Sequence, residues 1–156
     1  MAILNSLKKY FFIICISLAF IPSYIYAQSV AYYPWSGLLG VSTNTTRPVW
    51  LDVRLQTNTL FGSLSTEVLP LFNISQKSRT QFYAGGGVRF NFIGKIANQT
   101  NNVIEGYSLN IGTRLTPFAS QPQIQVAFEL APYVARKFDT GILKSNLGLV
   151  YRFKTK

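Results

Sequence analysis

The chain has 156 residues, 15 Lys and Arg against five Asp and Glu, a formal net charge of +10, one Cys and no His. The missing histidine excludes a Ser–His–Asp triad, and a lone Cys at position 15 excludes a disulfide scaffold or a thiolate metal site. The charge excess would suit nucleic acid, but the basic residues form no run, so no nucleic-acid partner is expected.

At the N-terminus, Lys8 and Lys9 precede an apolar run over 10–21, and Ser23-Tyr-Ile-Tyr-Ala27 ends on a small residue before Gln28. That is the layout of a secretory signal peptide over 1–27, cleaved after Ala27. A spanning helix takes about 20 apolar residues, and this run breaks at Pro22. The remaining 28–156 make one domain of 129 residues with neither Cys nor His, and loss of Lys8 and Lys9 lowers the formal charge to +8.

From Val30 onward apolar residues recur with period 2, the signature of half-buried strands. In chain order, strands are predicted at 29–33, 36–42, 48–57, 60–72, 80–93, 106–117, 123–136 and 141–153. In the third, Val49, Leu51, Val53 and Leu55 alternate with Trp50, Asp52, Arg54 and Gln56. The fifth sets Phe82, Ala84, Gly86, Val88 and Phe90 against Tyr83, Gly85, Gly87 and Arg89. Leu109 and Ile111 oppose Asn110, Gly112 and Arg114 in the sixth, and Val126, Phe128 and Leu130 oppose Ala127 and Glu129 in the seventh. Eight antiparallel strands place both termini at one end, with short turns at 73–79 and 119–122 on that end and the longest loop, 94–105, on the other. The first strand is shorter than the roughly 9–11 residues a membrane-crossing strand takes. Either the first hairpin is truncated or its boundary near Trp35 lies elsewhere. Tyr32, Tyr33, Trp35, Tyr107, Tyr133 and Tyr151 fall near strand ends, as interfacial girdles do.

Three acids, Asp52, Glu67 and Glu129, sit on polar faces in mid-strand together with Arg54, Arg89, Arg114 and Arg152, while the apolar faces carry no charge there. A narrow lumen must pair its charges, and a lipid-facing band excludes them at about 2–4 kcal/mol for Arg or Lys at the midplane. These seven residues are therefore expected to form a structural ion network. Joining strands six and seven through 119–122 sets Gly112 opposite Glu129. Closing seven and eight at Asp139-Thr140 sets Val150 opposite it, so Arg114 and Arg152 are expected to bracket Glu129. Asp52 and Glu67 could form a carboxylate dyad, but are read as members of the network. Gly85-Gly86-Gly87 opens no helix and is read as wall glycines, not as a phosphate loop. The polar loop 94–105 is the surface with binding potential and is read as a cap. No cofactor, metal or catalytic residue is expected.

Asn146, Gly148, Tyr151 and Phe153 stand in the order polar–x–Gly–x–x–aromatic–x–aromatic. This resembles the C-terminal signal by which outer-membrane β-barrels are recognised by the barrel assembly machinery, although here Lys154, Thr155 and Lys156 follow the last aromatic. With the signal peptide, the chain resembles small bacterial outer-membrane barrels of the eight-stranded kind. The resemblance implies an all-β, up-and-down transmembrane barrel in the outer membrane of a Gram-negative bacterium, in contact with outer-membrane lipids and lipopolysaccharide. The function it implies is non-enzymatic: a side-chain-filled barrel serving envelope structure or surface contact through its outer loops. Two other readings stay open, a small pore or transport component, and an exported lipocalin-like binder with its apolar faces turned inward around a ligand.

Overall fold

The structure, a computed structural model, describes residues 28–56, 65–96 and 102–153. The expected signal peptide at 1–27 lies outside the described residues, as do 57–64, 97–101 and 154–156. Eight strands follow one another: β1 (Ser29–Tyr33), β2 (Leu38–Ser42), β3 (Val49–Gln56), β4 (Thr66–Gln76), β5 (Thr80–Phe90), β6 (Ile104–Leu115), β7 (Ile124–Ala135) and β8 (Gly141–Arg152). Each pairs antiparallel with the next, and β1 closes on β8, so the sheet is a complete up-and-down barrel. Closure removes sheet edges, which suits a chain of short hairpins with strongly two-faced strands.

The alternation is realised with the apolar set outside. Leu109, Ile111 and Leu149 are 61–63% exposed, whereas Asn110, between the first two, is 1% exposed. The interior is filled by side chains of both kinds, with Tyr33, Leu69, Leu71 and Tyr83 fully buried beside Asp52 and Glu129. In an eight-stranded barrel the lumen is just wide enough for such filling.

The strand boundaries correct several expectations. The first hairpin is truncated, with five residues in each of β1 and β2. It turns through Pro34-Trp35-Ser36-Gly37, where the Gly37 amide donates to the Pro34 carbonyl at 3.3 Å and Gly37 has φ 56°, a conformation that costs glycine nothing. The fourth strand was expected over 60–72, of which 60–64 lie outside the described residues; β4 instead runs on to Gln76, and the turn shrinks to 77–79. Asn73, a turn former by propensity, stays in the strand because it is tied on several sides. Its amide donates to the Thr45 carbonyl (2.8 Å) and the Arg47 carbonyl (2.6 Å), and its side-chain oxygen accepts from Trp50 Nε1 (3.1 Å) and Gln81 Nε2 (2.6 Å). A register shift between Asn73 and Ser75 absorbs the extra residue. β5 ends at Phe90, short of the expected 93, and a single helical turn, α1 (Phe92–Ile96), occupies the start of the polar loop.

Gly112 does lie opposite Glu129 on β6. On the other side the partner of Glu129 is Asn146, not Val150. The β7–β8 connection turns around 136–139, with Phe138 at φ 59° donating its amide to the Ala135 carbonyl at 2.9 Å. A phenylalanine in the left-handed region is rare, and with the turn centred before the expected Asp139-Thr140 the register differs by four residues, Asn146 in place of Val150.

Candidate functional site

The most concentrated chemistry is in mid-lumen, where alternate strands β1, β3, β5 and β7 contribute Tyr33, Arg54, Tyr83 and Glu129. Inward side chains from alternate strands form one layer of a narrow barrel, so residues far apart in the ladder meet. Glu129 Oε2 accepts from Arg54 Nη1 at 2.6 Å. Its Oε1 accepts from Arg54 Nη2 (2.8 Å), Tyr83 Oη (2.6 Å) and Tyr33 Oη (3.0 Å). On its other side Arg54 faces Asp52, with Nε and Nη2 each 2.8 Å from Oδ2, and Asp52 Oδ1 accepts from Ser42 Oγ at 2.8 Å. Arg54 also stands over the Tyr33 ring, 5.2 Å from its centroid.

A carboxylate offers about four lone-pair sites, and Glu129 accepts four hydrogen bonds while being 0% exposed. Three of the four converge on Oε1 and one reaches Oε2, so the carboxylate is held in place from both oxygens. Burying such charges is costly unless every donor and acceptor is met, and here the bidentate Arg54–Glu129 pair and both tyrosines meet them. The geometry suits a rigid internal strut.

Arg114, from β6, joins this layer from below. It lies over Trp50 (4.5 Å to the centroid) and Tyr83 (5.6 Å), and its Nη1 and Nη2 reach Ser29 Oγ and Ser42 Oγ at 3.4 Å. It is not hydrogen-bonded to Glu129, and Arg152, half-buried at the barrel end, is no part of the cluster. The expected bracket of Arg114 and Arg152 is thus replaced by Arg54, Tyr33 and Tyr83. The four-residue register difference carried Arg152 away, and Arg54 arrives across the lumen from a strand that no ladder joins to β7.

Glu67 and Arg89 face each other across β4 and β5. Their closest approach is 3.7 Å, and Ser108 Oγ also donates to Glu67. Arg89 lies over the Tyr133 ring at 4.7 Å, and Lys144 approaches the same ring at 5.3 Å. Nearer the loop end, Glu105 accepts from Ser65 Oγ (2.7 Å) and Asn91 Nδ2 (2.8 Å). Asp52 and Glu67 therefore belong to separate clusters with separate partners and form no dyad. Among the described residues no group of three His, Cys, Asp or Glu side chains stands ready for a metal ion.

Of the C-terminal motif, Asn146 and Gly148 face the lumen and Tyr151 and Phe153 face out. Asn146 accepts from Ser36 Oγ of the first turn, and Tyr151 and Phe153 make an edge-on ring pair at 5.3 Å. Tyr33 is not a girdle residue: it is fully buried and spent on Glu129, while Tyr32, Trp35, Tyr107 and Tyr151 are exposed. The parity of β1 (Ser29, Ala31 and Tyr33 inward) was the signal that could have placed it. Comparison with known proteins finds no matching family model, no matching curated protein and no matching solved structure. The reading of this chain rests on its own geometry.

Proposed function

We propose that this chain is a non-enzymatic integral barrel of a bacterial outer membrane, exported by a cleaved signal peptide and handed over by the barrel assembly machinery. Its lumen is plugged, and its role is envelope structure or surface contact through the outer loops, with membrane lipids and lipopolysaccharide as neighbours. The observation that carries this reading is the inverted polarity of the wall: large apolar side chains on every strand point out, and the charges point in. Water rewards the opposite arrangement, whereas hydrocarbon tolerates it only in a closed barrel whose backbone is paired throughout. A lipocalin-like binder would carry an apolar lumen; here the lumen centre is Arg54, Glu129 and Asp52. A conducting pore would need a water path where the Arg54–Glu129 pair now stands.

The experiment is fractionation of the expressed protein, followed by gel migration with and without boiling. The expected result is recovery in the detergent-extracted membrane fraction with heat-modifiable migration. Recovery as a soluble exported protein would overturn the membrane reading.

A further inference from the structure

The barrel end that carries the termini holds a recess of about 90 Å³, lined among others by Lys77, Arg79, Gln81, Arg114, Gln125 and Arg152. A single water needs only about 10–15 Å³ on the same measure, so the recess has room for several waters or one small oxyanion. No Asp or Glu lines it, and the turns at this end (43–48, 77–79 and 116–123) contain none either. The nearest acids, Asp52 and Glu129, are matched in number by Arg54 and Arg114 within the lumen layer. Lys77, Arg79 and Arg152 thus add a local positive charge that no ion pair among the described residues offsets.

Two buried side chains lining the recess are under-used. Arg114 is 1% exposed, its Nε has no partner, and its two other contacts are 3.4 Å long, against about 2.7–2.9 Å for charge-assisted bonds. Gln125 is 5% exposed; its amide oxygen has no partner and its Nε2 holds only a 3.4 Å contact with Thr116. Buried polar groups are normally satisfied: the free Arg114 Nε asks for an acceptor and the free Gln125 Oε1 for a donor, so this corner suits an anion that also carries a hydroxyl, as a hydrogen phosphate does.

We propose that the recess is a binding site for a phosphate-class oxyanion, either inorganic phosphate or a phosphate ester, entering the lumen mouth from the side of the termini. The site goes beyond the membrane reading, because a soluble barrel of this geometry would have the same recess. Its failure and the failure of that reading are therefore distinguishable.

The test is calorimetric titration of inorganic phosphate into the protein refolded in maltoside micelles, which carry no phosphate, at ionic strength fixed with chloride. The expected result is saturable one-to-one binding with a Kd of about 1 mM or tighter, weakened at least tenfold in Arg152→Gln. Arg47→Gln, at the same end but outside the recess, should bind as the parent does. If Arg152→Gln does not fold, Lys77→Gln on the exposed turn takes its place with the same expectation. Absence of saturation, or equal losses in Arg47→Gln and the recess variant, would overturn the proposal. Repeating the titration with phosphatidylglycerol in the micelles identifies the source: competition assigns the site to a lipid headgroup, and no competition to a soluble phosphate ester.

Discussion

Glu129 is the residue on which the lumen layer turns, since it takes both terminal nitrogens of Arg54 and both tyrosine hydroxyls. Glu129→Ala leaves a buried guanidinium with only Asp52 and should cost about 3–5 kcal/mol of stability, read as a fall in the urea midpoint in micelles. Replacing all three charges, Asp52→Asn with Arg54→Met and Glu129→Leu, leaves no buried ion unpaired and should be less damaging than Arg54→Met alone, which strands both carboxylates. A triple variant less stable than Arg54→Met would contradict the strut. The tyrosines depend in turn on two inward glycines. A Cβ on Gly112 would meet Tyr83 Cζ at 2.6 Å and Glu129 Cγ at 2.8 Å, and one on Gly148 would meet Tyr33 Cδ1 at 2.5 Å. Each Gly→Ala change should therefore cost roughly 1–3 kcal/mol through overpacking, measured by the same unfolding midpoint. Which face Glu129 occupies was legible in its parity. Which cation it takes was not, because Arg54 reaches it across the lumen and alternation along one strand says nothing about reach between strands.

Within elements, the period-2 pattern located strands well where both faces are pure. β6, β7 and β8 fall within two residues of their expected limits, and β1 lies where it was expected. It failed where a local propensity was overruled by tertiary bonds: Asn73 was given to a turn, yet four hydrogen bonds hold it in β4. The β7–β8 turn differs for the same reason, since Phe138 adopts a backbone conformation that its residue type disfavours. The face assignment itself can be tested at one position. Leu109, 63% exposed in mid β6, should accept Phe with little change, whereas Leu109→Arg should cost about 2–4 kcal/mol if that face meets lipid. Refolding yield into vesicles, compared between the two variants, checks it; equal yields would place Leu109 in water.

At the scale of the whole molecule the wall is uneven. β6, β7 and β8 have 12 residues each and β1 and β2 have five, so the proposed membrane setting would require the bilayer to thin beside the first hairpin. The compartment and the partners were read from a terminal motif and a leader, and the barrel's own geometry bears on them only through the polarity of its wall. That polarity has a direct optical test, because the chain contains only two tryptophans: Trp50 is buried in the lumen at 3% exposure, and Trp35 is exposed on the first turn. In a Trp35→Phe background, Leu109→Trp places one indole on the outer band, with Trp50 as the shielded internal control. Reconstitution into vesicles whose acyl chains carry bromine should strongly quench the introduced indole and leave the fluorescence of the Trp35→Phe parent almost unchanged. Fluorescence from Leu109→Trp that is insensitive to the brominated chains would contradict an outer wall in contact with hydrocarbon.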